Sequence, residues 1–124
     1  MSMKESGEMY LETILLLSYS NAKVRSIDVA AALKVSKPSV SRAMGVLKGE
    51  EYITIDDKGY ISLTTEGRRV AENVYERHTV LSEALMQIGV DEDTAAEDAC
   101  KMEHVISEAS FEAIKRHMNM NKKM

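Results

Sequence analysis

Three residues late in the sequence, Cys100, Glu103 and His104, offer a thiolate, a carboxylate and an imidazole. At i, i+3 and i+4 on a helix they would share one face, within reach of a single ion. This donor mix suits Fe(II), Co(II), Ni(II) or Zn(II) better than Mg(II) or Ca(II), which favour all-oxygen shells. Spacing alone leaves an alternative open, because an inert buried cysteine, a solvated glutamate and a surface histidine give the same string. Met9 and Glu12 are also i and i+3, in an early apolar stretch, and His78 lies in a long central one. A methionine at such a place is more often core packing than a ligand. No nucleophile–base pair and no phosphate-binding glycine loop accompanies these groups, so a metalloenzyme is the weakest reading and the expectation is a protein that is not an enzyme.

The elements that must position these residues are mostly helices. Residues 8–20 place Met9, Leu11, Ile14, Leu15 and Leu17 at helical spacing, with Ser6 or a neighbour starting the helix. Ser26 is the expected cap of a short helix through Leu33. After a Lys34-Val35 turn, Ser36 caps the next helix, which runs to about Gly49 with Pro38 in its first turn, where a missing N–H costs little. Residues 52–55 and 60–63 read as two strands around the turn Asp56-Asp57-Lys58-Gly59. Thr64 or Thr65 then caps a long helix over about residues 66–88, ended by Gly89. Residues 91–107 read as a helix with an acidic start, as the helix dipole favours, and 110–118 as a last short one before a loose tail at 119–124. The fold class is therefore mainly α with a small β-wing. The expected division is a winged helix-turn-helix over residues 1–70 and a helical region over 71–124.

Two short helices, a tight turn and a hairpin form a winged helix-turn-helix pattern, whose second helix enters the DNA major groove by its N-terminal residues. Here those are Ser36, Lys37, Pro38, Ser39, Ser41 and Arg42. The small hydroxyls permit close approach, and Arg42 reaches a guanine or a phosphate. Lys58 at the wing tip and Arg25 ahead of the first short helix are candidate phosphate contacts. Surface cations that are merely solvated would look the same.

Charge is compatible with this reading once it is divided. The whole chain carries −4, but residues 1–70 hold ten Lys and Arg against nine Asp and Glu, and residues 71–124 hold six against eleven. The front portion is the DNA side, with local rather than broad basic sites. A single cysteine, Cys100, excludes an intrachain disulfide and suits a reducing compartment. The apolar run at 14–17 is far too short to span a bilayer, and no secretory signal is recognisable, so the expected location is cytoplasmic with no membrane partner. Val74, Leu81, Leu85, Val105, Ile106 and Phe111 are candidates for an apolar seam shared with a second subunit, or else for intrachain core.

The two clusters together resemble a known family. Residues 8–14 (Glu-Met-Tyr-Leu-Glu-Thr-Ile), 35–41 (Val-Ser-Lys-Pro-Ser-Val-Ser), 63–67 (Leu-Thr-Thr-Glu-Gly), 77–78 (Arg-His) and 100–107 (Cys-Lys-Met-Glu-His-Val-Ile-Ser) resemble, in order, the DtxR/MntR family of metal-dependent transcriptional repressors. The resemblance implies a homodimer that binds double-stranded operator DNA when metal is bound, with residues 71–124 serving metal binding and dimerisation. It implies that Met9, Cys100, Glu103 and His104 stand where the iron-responsive branch has regulatory ligands. Glu12 and His78 stand where the manganese-responsive branch has ligands. That second branch has an Asp in place of Met9 and a Glu in place of Cys100, so this chain is a hybrid. Ser82 and Ala96 stand where the iron branch has ligands of its ancillary site, and in length the chain resembles the short members, so an SH3-like third domain is not expected. A thioether and a thiolate shift preference toward Fe(II), with Mn(II) second and Co(II), Ni(II) or Zn(II) as ions that bind in vitro. Two alternatives remain at this point: a manganese-specific regulator, and a winged-helix regulator that answers to redox at Cys100 or to another ligand instead of metal.

Overall fold

The computed structural model describes residues 3–122, and the side chains of residues 6–120. The chain divides into two compact units after Glu72. The first contains α1 (Met3–Ser20), α2 (Ser26–Leu33), α3 (Lys37–Gly49), β1 (Ile53–Ile55), β2 (Ile61–Leu63) and the start of α4 (Thr65–Gln87). The second contains the rest of α4, α5 (Glu92–Met102) and α6 (Glu108–Lys122).

In the first unit, the residues at helical spacing on α1 become the core. Leu11, Ile14 and Leu15 are buried with Val29 and Ala30 of α2, Val40, Met44 and Leu47 of α3, and Ile53 and Ile61 of the strands. The α2–α3 turn is made by Lys34 in the left-handed region (φ 56°), after which Ser36 caps α3 by accepting the Ser39 backbone N–H at 3.3 Å. The cap of α2 is Arg25 and not Ser26, which is the first helical residue. The physical reason lies at the third helical position, where the Asp28 carboxylate accepts the Arg25 backbone N–H at 2.9 Å and supplies the capping contact. Likewise α1 begins at Met3, so Ser6 lies inside it rather than starting it.

The wing is an antiparallel pair in the register Ile53↔Leu63, Thr54↔Ser62, Ile55↔Ile61, each strand starting one residue later than the apolar pattern indicated. Its turn is held by Asp56, whose Oδ1 accepts the backbone N–H groups of Lys58 and Tyr60, both at 2.9 Å, while Gly59 supplies φ 84°. Val24 forms an outer bridge to Ile61. At the foot of β1, Thr64 ties α4 to the wing: its N–H donates to Tyr52 O at 3.0 Å, and its Oγ1 donates to Glu51 O at 2.7 Å and accepts the Gly67 N–H at 3.1 Å.

In the second unit, Leu81, Ala99 and Phe111 are buried together, flanked by Val80, Met102, Ile106 and Ile114. Asp91 caps α5, accepting the Thr94 N–H at 3.0 Å, and that backbone donor holds its carboxyl below the usual carboxylate range. α5 ends at Met102, short of the expected residue 107. Glu103 is its C-cap, still in right-handed helical geometry, and His104 follows in a turn. α6 starts earlier than expected, because Ser107 Oγ accepts the Ser110 N–H at 3.1 Å, and residues 119–122 continue it instead of forming a loose tail. Of the candidate dimer-seam residues, Val74, Leu81 and Phe111 are buried within the chain, whereas Val105 is 70% exposed. Among the described residues no helix is long and apolar enough to cross a membrane.

Candidate functional site

In the second unit, α4, the end of α5 and the turn after it bring three of the expected metal ligands together. The Glu103 side chain is fully buried. One carboxylate oxygen lies 3.0 Å from His78 Nδ1 and the other 3.3 Å from His104 Nε2. Burying a carboxylate is costly unless positive charge or donors meet it, so its place between two imidazoles is a demanding feature of the fold. Because α5 stops at Met102, His104 lies in the turn beyond it and does not share a helical face with Cys100, whereas Glu103, the C-cap in helical geometry three residues on, does; Cys100 is half-buried. Met9 and Glu12 sit half-buried at i and i+3 on α1, in the first unit.

The donor set fits a borderline divalent ion. Ligand atoms about 2.1 Å from a first-row ion, at angles between octahedral and tetrahedral, lie roughly 3.0–3.4 Å from one another. The two contacts of Glu103 fall in that range. The arrangement is two pairs sharing one carboxylate: among the described residues no three or more His, Cys, Asp or Glu side chains already form a group that could hold a metal ion.

Behind these three residues stands Arg77, one residue before His78. Its Nη1 donates to the carbonyls of Glu103 (3.3 Å) and Ile106 (2.9 Å), its Nη2 pairs with Glu108 at 2.7 Å, and its guanidinium lies over the Phe111 ring. Sequence reading noted Arg77 only as part of a motif, since its partners are 26 to 31 residues away.

The first unit presents the expected DNA residues outward. Ser36, Lys37, Pro38, Ser41 and Arg42 are exposed along the start of α3, and Ser39 is half-buried, held by Ser36 Oγ at 2.8 Å and approached by Arg42 Nη2 at 3.5 Å. Lys58 is exposed at the wing tip, but Asp56 and Asp57 precede it and offset its charge. The denser cationic feature is beside the turn end of β2. Arg25 lies over the Tyr60 ring, 4.7 Å from its centroid, and Lys23 Nζ lies at 5.6 Å from the same ring. Sequence reading found Arg25 and missed Lys23 and Tyr60. Alternation was the available signal: Val24 points inward, 2% exposed, so the extended segment turns Lys23 and Arg25 to one face.

Comparison with known proteins accords with both parts. Residues 2–61 match the family described as "Iron dependent repressor, N-terminal DNA binding domain". Residues 64–123 match "Iron dependent repressor, metal binding and dimerisation domain". The chain belongs to the iron-dependent repressor family, whose members are metal-dependent transcriptional regulators. Within the family it is 33% identical over 110 residues to the transcriptional regulator MntR of Salmonella typhimurium, covering 89% of this chain and 70% of that one. It is 30% identical over 118 residues to the HTH-type transcriptional regulator MJ0568 of Methanocaldococcus jannaschii, covering 94% of each. Among solved structures, the manganese regulator SloR superposes with a TM-score of 0.82 at 28% identity, over 91% of this chain and 53% of that one. A manganese-dependent transcriptional repressor in complex with manganese gives 0.84 at 25%, over 91% and 52%. The chain thus spans about half the length of these two solved relatives. These neighbours bear out the winged-helix architecture as well as the family resemblance read from the sequence.

Proposed function

We propose that this family member represses transcription by binding palindromic operator DNA as a homodimer when Fe(II) is bound, with Mn(II) as the second choice, and so controls metal homeostasis genes. The observation that carries the metal part is the buried Glu103 carboxylate set between His78 and His104. Glu103 and His104 are the proposed central ligands, His78 and Cys100 join them, and Met9 and Glu12 are the further donors that the family resemblance implies. The soft donors Cys100 and Met9 favour Fe(II) over Mn(II). The solved relatives are a manganese regulator and a manganese-dependent repressor, which supports the manganese-specific alternative and makes Cys100 the residue to test.

DNA is read by Ser36, Lys37, Pro38, Ser39, Ser41 and Arg42 at the start of α3, with Arg25 and Lys58 on phosphates. The exposure of the α3 start and the cations over Tyr60 support this assignment. Bound metal favours the DNA-competent state, and by linkage DNA tightens metal binding equally. The location is the cytoplasm, where a lone thiol stays reduced.

The test is an anaerobic titration of metal-free protein with Fe(II) and, separately, Mn(II), recording stoichiometry and melting shift for wild type and Cys100→Ala. Tighter Fe(II) binding that Cys100→Ala abolishes supports the iron assignment. Equal or tighter Mn(II) binding, indifferent to Cys100, moves it to manganese. Binding of neither removes the metal switch and leaves a winged-helix DNA-binding protein.

A further inference from the structure

One guanidinium grips both ends of the segment that carries Glu103 and His104. Arg77 donates to the Glu103 carbonyl at the end of α5, to the Ile106 carbonyl three residues on, and to the Glu108 carboxylate in the first turn of α6. Its side chain is 19% exposed and packs on Phe111, itself buried against Leu81 and Ala99. The carbonyls at a helix end have no intrahelical donors, and a planar fork with five N–H groups is suited to collecting several of them at once.

The neighbouring residue holds the same segment by another part. His78 contacts the Glu103 carboxylate while Arg77 holds the Glu103 main chain. Consecutive residues of α4 therefore fix the backbone and the side chain of one buried glutamate. Where α5 stops is set partly from outside: residues 103–107 contain no glycine or proline to force the break.

We infer that Arg77 is a positioning residue for metal, acting through the backbone of residues 103–108 to hold Glu103 and His104 where they ligate, without touching the ion. This rests on the metal-binding reading above. Partners that orient metal ligands typically contribute about 10- to 100-fold to metal affinity.

The experiment uses Co(II), whose visible absorption reports coordination geometry, titrated anaerobically into metal-free full-length protein. Wild type, R77M, R77K and E103Q are compared, with helix content and melting of each metal-free protein recorded alongside. R77M keeps a stem over Phe111 and loses every donor; R77K keeps the charge and loses the fork. The expected result is a folded R77M that binds Co(II) about 10- to 100-fold more weakly with an altered visible band, and an R77K only partly restored. R77M with wild-type affinity and an unchanged band would overturn the inference. If R77M does not fold, R77K is judged by the same criteria. Loss of fold in both would also overturn it, since Arg77 would then be a residue of folding alone. Wild type that ignores Co(II), or E103Q that binds as wild type does, would instead overturn the metal reading itself.

Discussion

Replacing Gly67 by alanine tests how α4 is seated on the wing. Gly67 is in the first turn of α4, and its backbone does not need positive φ, so the cost of a side chain there is steric. A Cβ built on it would lie 2.0 Å from Tyr52 O, 2.9 Å from Tyr52 C and 3.3 Å from Tyr52 Cα. Restoring ordinary contact needs a backbone shift of about 1.4 Å, in a close-packed region where neighbours yield little. That shift pulls on the Thr64 clamp, whose N–H and Oγ1 hold the carbonyls of Tyr52 and Glu51. Overpacking costs about 1–3 kcal/mol. Weakening one or two of the clamp's hydrogen bonds adds about 0.5–1.5 kcal/mol each. Taken together, at about 4 °C per kcal/mol, G67A should melt about 6–24 °C below wild type in a thermal scan followed by circular dichroism. Gly45, inside α3 with nothing within 4 Å of its own Cβ position, is the control. G45A should raise the melting point by a few degrees, since alanine is favoured over glycine in a helix by about 0.5–1 kcal/mol. G67A melting with wild type or above it would refute the close approach.

Further predictions concern charge and pH. Lys23→Ala should weaken binding to all duplexes alike and lower the slope of log affinity against log salt by about one, if Lys23 meets a phosphate; an unchanged slope measured by fluorescence anisotropy would remove Lys23 from the interface. Asp91 has a carboxyl held low by the Thr94 backbone, so its stabilising contribution is present above the ordinary carboxylate range and is lost as pH falls through the depressed folded value. D91N keeps a capping acceptor without titrating, so wild type should exceed it in stability at neutral pH and lose that advantage in acid. A difference that stays constant across denaturant melts at both pH values would contradict this.

Much of the first unit was legible because its signals are local. Ser36 and Pro38 mark the start of α3, Gly59 marks the wing turn, and the 3.6-residue spacing of Leu11, Ile14 and Leu15 marks the buried face of α1. Local signals misled where two neighbours compete. Ser26 is the better cap by type, yet Asp28 at the third helical position serves Arg25. The candidate metal ligands Glu103 and His104 were visible as residue types, but the end of α5 was not, because the Glu103 carbonyl at its C-cap and the Ile106 carbonyl beyond it are met by Arg77, far earlier in the chain. For the same reason the Glu103–His78 contact, 25 residues apart, could be reached from family resemblance but not from spacing. The cationic pair over Tyr60 needed the Val24–Ile61 bridge to be known first.

Metal control of DNA binding through Glu103 is open to direct test. The direct measurement is the affinity of metal-free protein for a labelled duplex from upstream of its own gene, at fixed salt, before and after Fe(II) or Mn(II) and again after a chelator. The expected result is tightening by about 5- to 150-fold, the usual span of such coupling, reversal by the chelator, and no response in Glu103→Gln. Affinity that the chelator leaves unchanged, or a Glu103→Gln protein that still responds fully to metal, would contradict it.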